Sequence, residues 1–330
     1  MQPPAFWHRP PGLWSTLLGP LGVLYSMGTA HRLRKGRPTK LDIPVICVGN
    51  INAGGTGKTP TVISLVQILE ARGIHPHIVS RGYRGSLEGP IRVNERSHSA
   101  EDVGDEPLLL AAFADVWVSK DRLKGAMAAF DAGAEIVILD DGFQNPSLTY
   151  DLSIVVVDAA RGFGNGKVMP AGPLREPIAT GLKRADILLS IGAGPAQTAF
   201  ATKSDHLVQI PHMTGQLTPL QTGMDWEGLR AFAFAGIGHP GKFFATLKAL
   251  GAELVKTESL DDHQPLTPAL MARLQAEAGA LGAQLVTTEK DAVRLPDAFR
   301  REVLPVPVRL EIEDTSALDR ALDQLTMQRR

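Results

Sequence analysis

The sequence has almost no cysteine and no excess of charge of either sign. Cys47 is the single cysteine in 330 residues, which excludes an internal disulfide and a metal site built from several thiolates. Its place in the apolar run Ile-Pro-Val-Ile-Cys-Val predicts a position in the core of a strand. Lys and Arg total 34 against 35 for Asp and Glu, so the chain lacks the overall positive field that coats nucleic acid. We therefore expect no nucleic-acid partner.

The chain also lacks a long uninterrupted apolar run, although its N-terminal segment, residues 1–40, comes close to one. No residue between Arg9 and Arg32 carries a full charge, and Pro20 and several glycines interrupt the leucines and aromatic residues there. A spanning helix needs about 20 predominantly apolar residues, so these interruptions argue against one. The small residues that end the stretch would also suit a signal peptide.

Two further interpretations of residues 1–40 remain open. An interfacial segment would place Trp14 and the leucines at the lipid headgroups, while the basic residues of 32–40 meet anionic lipid. A helix packed on its own domain would explain the composition equally well. On the interfacial interpretation the protein has an anionic membrane surface as a partner.

Apolar runs alternate with segments of helical spacing along most of the chain. The predicted strands of the first series are 43–49, 75–80, 116–119, 134–139, 154–157 and 187–190, and the helices between them include 58–72, 108–114 and 121–132. Strands that are apolar on both faces and separated by helices predict a parallel sheet with helices on both faces.

This pattern lapses at 206–228, and a second βαβ-like series follows. Its predicted strands are 230–235, 253–257, 284–288 and 306–312. A length of 330 residues fits two domains at roughly 150 residues each. We predict an α/β domain over 41–222 and a second, smaller α/β domain over 223–330, whose terminal helix is free to return to the first domain.

A glycine-rich loop joins the strand at 43–49 to the helix at 58–72. In phosphate loops, backbone N–H groups at a helix N-terminus surround phosphate oxygens, a lysine reaches the β- and γ-phosphates, and the next hydroxyl binds Mg2+. Lys58 and Thr59 fit the last two roles, so the loop predicts ATP and Mg2+ as ligands. The strict pattern has glycine where Asn52 stands, and a glycine-rich turn with an incidental lysine is the alternative. The loop consists of Asn52, Ala53, Gly54, Gly55, Thr56, Gly57, Lys58 and Thr59.

Two carboxylates follow the predicted strand at 134–139. Asp140 and Asp141 would lie at the carboxyl end of that strand, where a carboxylate can hold the metal of a phosphate site. We predict the pair as Mg2+ partners; either residue alone would equally suit a turn.

Two other motifs suggest different classes of protein. Residues 236–241 fit G-x-G-x-x-G between a strand and a helix, with Glu258 at the distance of a ribose-binding carboxylate, as in a dinucleotide-binding oxidoreductase. Pro240, however, removes one donor from that loop. A membrane-associated phosphate-loop ATPase would need a lysine at Ala53, and a GTPase would need Asn-Lys-x-Asp, which Glu289-Lys290-Asp291 does not supply.

Several blocks together resemble the tetraacyldisaccharide 4'-kinase family of lipid A biosynthesis, over nearly the whole chain. Several of these blocks have no counterpart in generic phosphate-loop proteins, and the family does not keep the first glycine of the strict loop. The blocks are Asn50-x-x-x-Gly54-Gly55-Thr56-Gly57-Lys58-Thr59-Pro60, Ser80-Arg81-Gly82-Tyr83, Gly104-Asp105-Glu106-Pro107, Asp140-Asp141-Gly142-Phe143-Gln144, Pro170-Ala171-Gly172-Pro173-Leu174-Arg175-Glu176, Asp262-His263 and Thr287-Thr288-Glu289-Lys290-Asp291.

The resemblance implies a fold, a reaction and a location. The fold would be a phosphate-loop NTPase-like sheet, with the active site between the two domains. The reaction would be ATP-dependent phosphorylation of the 4'-hydroxyl of an acylated glucosamine disaccharide 1-phosphate. The protein would act as a peripheral protein at the cytoplasmic face of the inner membrane, and we expect a monomer.

The resemblance also implies roles for particular residues. Asp105 would accept the proton of the hydroxyl, paired with His263 from the second domain, and Lys58 would act with them; from sequence alone, Asp105 would equally suit a helix N-cap. The implied metal ligands are Thr59, Asp140, Asp141, Glu106 and Glu176. The implied substrate residues are Arg81, Tyr83, Gln144 and Arg175.

Overall fold

Two β-sheets organise the residues that the structure, a computed structural model, describes, which are residues 4–327. The strands are β1 (Val45–Gly49), β2 (Pro76–Ser80), β3 (Ile91–Arg92), β4 (Asp115–Val118), β5 (Ile136–Asp140), β6 (Leu152–Asp158), β7 (Ile187–Ile191), β8 (His212–Pro219), β9 (Arg230–Ala235), β10 (Glu253–Ser259), β11 (Gln284–Thr288), β12 (Val303–Val306) and β13 (Val308–Ile312). The α-helices are α1 (Leu13–Leu17), α2 (Gly19–Lys35), α3 (Lys58–Ala71), α4 (Ala100–Val103), α5 (Asp105–Leu110), α6 (Arg122–Asp131), α7 (Ile178–Leu182), α8 (Gly194–Ser204), α9 (Pro240–Ala249), α10 (Pro268–Ala280), α11 (Glu289–Ala292) and α12 (Ser316–Met327), and short 3-10 helices cover Ala5–His8 and Asp297–Phe299.

The first sheet has nine strands in the order β13-β8-β7-β6-β1-β5-β2-β4-β3. The strands from β8 to β4 are parallel, and β13 and β3 add antiparallel edges. Every residue of β1, β2, β5, β6 and β7 is buried, as expected of parallel strands covered on both faces. The predicted α/β class is confirmed.

Each face of this sheet has its own apolar core. On one face, α3 contributes Val62, Val66 and Leu69, and α12 adds three leucines at helical spacing. On the other face, Cys47 packs with Phe143 and with Val155 and Val157 of β6. Cys47 is fully buried, which confirms its predicted core position, and that burial raises the pKa of its thiol.

The second sheet is parallel throughout, with the order β10-β9-β11-β12. It buries Phe232 and Phe234 of β9 against α10. After β12 the chain returns to the first sheet, where β13 pairs with β8 and α12 packs beside α3. The two sheets therefore use residues 45–219 with 308–312, and residues 230–306. The domain division at residue 222 stays a prediction, and the ends of the outer ranges, 1–3 and 328–330, lie outside the described residues.

The strands differ from those predicted in three places, of which the first is the two-residue edge strand β3, which no predicted strand covers. β8 lies inside 206–228, where the strand pattern lapses, because this strand next to the edge is polar and only partly buried. The predicted strand at 306–312 is in fact the end of β12 and the whole of β13, which belong to different sheets. Pro307 separates them and accepts a hydrogen bond from the Leu220 N–H at 2.9 Å.

Helix α2 packs through small residues, with Gly22 against the loop residues Val168 and Ala171. Gly22 and Thr29 of α2 are buried, whereas eight large apolar side chains of α1 and α2 are 42–71% exposed. They are Leu13, Trp14, Leu17, Leu21, Val23, Leu24, Tyr25 and Met27, and we call them the apolar face. Among residues 4–327, no helix is both long and apolar enough to cross a bilayer.

Candidate active site

The glycine-rich loop has the backbone shape that phosphate binding needs. It leaves β1 and enters the 14-residue helix α3 through Gly54 and Gly57, whose φ angles of 105° and 96° are left-handed and favour glycine. A Cβ atom built on Gly54 or Gly55 would meet nothing within 4 Å. The loop is thus open toward solvent at the N-terminus of α3, where the helix dipole favours anions.

Several residues of the loop are used to hold its shape. The side-chain amide of buried Asn50 donates to Gly54 O at 3.2 Å and to Thr56 Oγ1 at 3.1 Å. The Ala53 N–H donates to Pro173 O at 2.7 Å, and Asn52 Nδ2 donates to Gly162 O at 3.0 Å. Protein groups therefore already bind the Ala53 amide and the side chains of Asn52 and Thr56. The glycines and Lys58 remain available to contact a ligand.

Lys58 lies beside the carboxylates at the end of β5. Its Nζ is 3.6 Å from Asp141 Oδ1, and Arg175 Nη1 is 3.2 Å from the same oxygen. Asp141 has a left-handed φ of 54°, an uncommon conformation for a non-glycine residue that often occurs at functional sites. Burial acts to raise the pKa of Asp141, but Lys58 and Arg175 outweigh it and lower the pKa below its usual value.

Asp140 has the opposite electrostatic environment. It is 5% exposed, and the Ser80 hydroxyl donates to its Oδ2 at 3.3 Å. Burial, followed by the neighbouring Asp141 charge, raises the pKa of Asp140 to about 6. The adjacent carboxylates therefore differ in proton affinity, and a cation that bound both would favour the ionised form of Asp140.

The buried guanidinium of Arg122 binds the backbone of Asp140 and Asp141. Its Nη2 donates to the backbone carbonyls of Asp140 at 3.1 Å and Asp141 at 3.3 Å. Arg122 is 4% exposed, and burial lowers its pKa. Arg122 thus fixes the turn that presents both carboxylates, and no sequence pattern identified it.

The predicted metal ligands do not all converge. Within the described part of the chain, no three His, Cys, Asp or Glu side chains lie close enough together to hold a metal by themselves. Mg2+ at phosphate sites usually takes one or two carboxylates, with phosphate oxygens and waters completing its shell. Asp140, Asp141 and the Thr59 hydroxyl fit that kind of site.

Glu176 and Gln144 have other partners. Both oxygens of the buried Glu176 carboxylate accept from Arg184 Nη2 at 2.7 Å. Gln144 Nε2 donates to Glu176 at 2.9 Å and to Asn50 O at 2.8 Å, and its Oε1 accepts from Arg175 at 3.1 Å. The structure therefore gives Glu176 and Gln144 positions in a network behind the phosphate loop, whereas the sequence analysis expected a metal ligand and a substrate contact.

A second cluster joins the two sheets at the start of α5. His263 Nδ1 lies 2.7 Å from Asp105 Oδ2, and both side chains are 10% exposed. Gly104 is the N-cap of α5, so the capping alternative for Asp105 is wrong. The structure thus brings together the two residues that the resemblance pairs, although they lie 158 positions apart.

Cations of the second sheet complete this cluster. Lys290 Nζ is 2.6 Å from Glu106 Oε1 and 3.3 Å from His263 Nε2, and Arg294 Nε is 3.3 Å from Asp105 Oδ2. Glu106 is therefore paired with Lys290; its charge also contributes to the raised pKa of Asp140, after burial and Asp141.

Lys290, Arg294 and Arg84 are not among the predicted site residues. Arg84 Nη1 donates to His263 O at 3.1 Å. Lys290 belongs to a block that carried the resemblance, but no pattern distinguished Arg84 or Arg294. Of the predicted substrate residues, Arg81 and Tyr83 are exposed, and the Tyr83 ring lies edge-on to His263 at 5.8 Å.

The first glycine of the G-x-G-x-x-G segment faces protein, whereas a Cβ atom on Gly238 or Gly241 would meet nothing within 4 Å. A Cβ atom on Gly236 would lie 2.9 Å from Arg294 Nη2 and 3.2 Å from Asp291 Oδ1. Beyond it, His239 Nδ1 is 3.1 Å from Arg161 Nη2, and Lys242 pairs with Asp158 at 2.7 Å. The start of α9 is therefore bound to the end of β6, so that His239 and Lys242 already have partners in the protein.

Comparisons with known proteins all find members of one family. The model of the tetraacyldisaccharide-1-P 4'-kinase family, LpxK, matches residues 14–327. Tetraacyldisaccharide 4'-kinases from Jannaschia sp. (strain CCS1) and Dinoroseobacter shibae are each 62% identical to this chain, over 98% of it and over 99% and 98% of their own lengths. A crystal structure of LpxK from Aquifex aeolicus in complex with ATP superposes with a TM-score of 0.73 at 28% identity, covering 95% of this chain and 99% of that one.

Proposed function

Because this chain belongs to the tetraacyldisaccharide 4'-kinase family, we propose that it transfers the γ-phosphate of ATP to the 4'-hydroxyl of tetraacyldisaccharide 1-phosphate in lipid A biosynthesis. The observation that carries this proposal is the combination of an open phosphate loop with the Asp105–His263 contact of 2.7 Å. The open phosphate loop provides a binding site for ATP, and the contact with His263 positions Asp105 as a proton acceptor.

Asp105 accepts the proton of the attacking hydroxyl in this proposal. Phosphoryl transfer passes through a loose transition state, so the protein mainly positions the reactants and stabilises charge. As the bond from the 4'-oxygen to the γ-phosphorus forms, the bond from that phosphorus to the β,γ-bridging oxygen breaks and ADP leaves. The proton moves to Asp105 Oδ, and His263 and Arg294 orient that carboxylate.

The phosphate side of the reaction depends on Lys58 and the loop glycines. Lys58 lies at the N-terminus of α3 and is 15% exposed, so its ammonium acts on phosphate oxygens in a partly dry site where charge is most effective. Thr59, Asp140 and Asp141 would hold Mg2+, which when bound neutralises charge on the β- and γ-phosphates. Arg175, next to Asp141, adds a further positive charge at the same edge of the sheet.

We also propose that the protein binds the surface of the membrane through its N-terminal segment. The apolar face exposes eight large side chains, and the basic residues of 32–40 that follow are exposed as well. Stable peripheral binding generally needs two such attractions, one apolar and one electrostatic. Use of ATP and of a lipid precursor would place the protein at the cytoplasmic face of the inner membrane. That it acts as a monomer stays a prediction.

The decisive experiment follows phosphate from ATP into lipid. The purified protein is incubated with γ-labelled ATP, Mg2+ and tetraacyldisaccharide 1-phosphate, and the lipid is separated by thin-layer chromatography. We expect label in the lipid, at the 4'-position. Release of inorganic phosphate without labelled lipid would instead show a non-kinase ATPase, and a disaccharide with a blocked 4'-hydroxyl is the matched control.

A further inference from the structure

A segment that we call the strap, residues 162–175, lies against the phosphate loop on both sides of Asn52. The Asn52 side chain donates to Gly162 O at 3.0 Å. Ala53 N–H donates to Pro173 O, and Arg175 N–H donates to Ile51 O, both at 2.7 Å. Asn52 also forms an isolated antiparallel bridge with Leu174. Both ends of the strap are thus hydrogen-bonded to the three residues that precede Gly54.

The middle of the strap is bound by the N-terminal segment. Trp7 Nε1 donates to Pro170 O at 3.0 Å, and the backbone N–H of Asn165 donates to Trp7 O at 2.8 Å. Gly22 of α2 packs so closely that a Cβ atom there would lie 2.8 Å from Val168 O. Gly22 is buried although it belongs to a helix whose large side chains are exposed.

We propose that the strap transmits the docking of the N-terminal segment to the phosphate loop, so that this segment is a positioning element for ATP, with Asn52 as the receiving residue. The strict phosphate loop has glycine at this place. Here the position carries a side chain that is 5% exposed and bound to the strap. A glycine at this position would have no side chain to bind the strap, whereas the Asn52 side chain holds the loop to residues 162–175 by a hydrogen bond.

The two sides of α2 then have separate functions. The apolar face is exposed and available to lipid, whereas Gly22 contacts the strap. Changes at the contact with the strap should alter nucleotide affinity even without lipid. A change at an exposed small residue of the same helix should not. Gly28 provides that control, because a Cβ atom there would meet nothing within 4 Å.

The test measures binding of a non-hydrolysable ATP analogue with Mg2+ to the full chain by titration calorimetry, without lipid. It rests on the proposed function, because it assumes that ATP binds at the phosphate loop. Asn52→Ala removes the hydrogen bond to Gly162, and Gly22→Ala pushes a methyl group onto Val168 O; each should raise the Kd about tenfold. Gly28→Ala should leave it unchanged. Trp7→Phe, which loses one donor at the surface, is a milder second variant in case Gly22→Ala does not fold.

A double-variant cycle separates transmission through the strap from independent damage. If Gly22 acts through the strap, Asn52→Ala with Gly22→Ala should raise the Kd little more than the larger single change does. Saturating ATP should restore most of kcat, because the loss concerns binding of ATP and not the proton acceptor. Equal Kd values for Gly22→Ala, Trp7→Phe and Gly28→Ala, or additive losses of about a hundredfold in the double variant, would overturn the proposal. A wild-type chain that binds no analogue would overturn the proposed function itself.

Discussion

Replacing Asp140 by Asn should stabilise the ligand-free protein while it removes kinase activity. Asp140 is almost fully buried, and its pKa in the folded protein is about 6 against an ordinary value of 3.8. A pKa that is raised by about two units corresponds to roughly 3 kcal/mol of unfavourable free energy for the ionised form, at about 1.4 kcal/mol per unit. Because Asn keeps an acceptor for the Ser80 hydroxyl but adds two donors that need partners, we expect a net gain of about 1–2 kcal/mol.

The sign of the pH dependence follows from linkage. Between pH 3.8 and about 6 the folded protein holds a proton on Asp140 that the unfolded chain has already released, so the free energy of unfolding falls as pH rises through this window. The cost of the charge is absent below the window and complete above it. The advantage of Asp140→Asn should therefore be largest at about pH 8, and at about pH 4, where only the cost of the Asn donors remains, the variant should be about 1–2 kcal/mol less stable than wild type.

Asp141 provides the matched control. Lys58 and Arg175 outweigh burial and lower its pKa, so its charge stabilises the fold above the unfolded pKa, and that contribution is lost as pH falls through the folded pKa. Asp141→Asn should thus destabilise the protein at about pH 8. Urea unfolding of the wild type and both variants at the two pH values measures these differences. An Asp140→Asn protein that is less stable than wild type at about pH 8, or a difference that does not depend on pH, would refute the reasoning.

Three further predictions concern the remaining groups. Lys58→Ala should lower kcat by about a hundredfold or more with the fold intact, measured with labelled ATP and checked by circular dichroism; an active variant would contradict the role of the lysine. Asp105→Ala should reduce kcat far more than it changes the KM for ATP, His263→Ala should do so less severely, and the double variant should be little worse than the worse single; additive losses would mean that the two act independently. Replacing the basic residues of 32–37 by Gln should release the protein from anionic vesicles in flotation assays and flatten the salt dependence of binding, because the lost attraction is screened over about 8 Å at physiological ionic strength. Trp14→Ser, with changes at its neighbouring leucines, should weaken vesicle binding even at low salt; full solubility of the wild type beside vesicles would contradict both expectations.

The strands that sequence predicted well are those that bury both faces. β9 and β11 have the predicted bounds, and β1 differs only at its first residues, because their apolar runs end at glycine or polar residues. β8 was missed because it lies next to the edge strand and carries polar residues. A strand of that kind is defined by its hydrogen-bonded neighbours, and β13, its antiparallel partner, lies some 90 positions further along the chain.

The parts of the candidate site that sequence predicts are local in the chain, and the parts that it does not predict depend on contacts between separate elements. The phosphate loop and α3 are contiguous in sequence, so backbone chemistry alone predicts them. Arg122, Arg294 and Glu176 depend instead on contacts that join separate elements: Arg122 with Asp140, Arg294 with Asp105, and Glu176 with Gln144, which is 32 positions away. Glu176 and Gln144 illustrate the limit of motif reasoning, because a motif gives the residue types near a site but not which of them pair with each other.

The path of the chain explains how His263, which lies between elements of the second sheet, can contact Asp105, which lies between elements of the first. The chain leaves the first sheet after Pro219 and re-enters it at Val308, and these two residues are partners in the β8–β13 ladder. Both connections to the second sheet therefore lie side by side, and the hydrogen bond from Leu220 to Pro307 joins them. The core of the second sheet is separate from that of the first except for Val293, which packs against the first core. We therefore expect a rotation about this double connection to change the distance between His263 and Asp105 without breaking a ladder in either sheet. The contact between His263 and Asp105 thus belongs to an interface of ion pairs that also includes Glu106, Lys290 and Arg294. On the proposal that Asp105 accepts the proton, we expect a change of charge at this interface to alter the position of the acceptor.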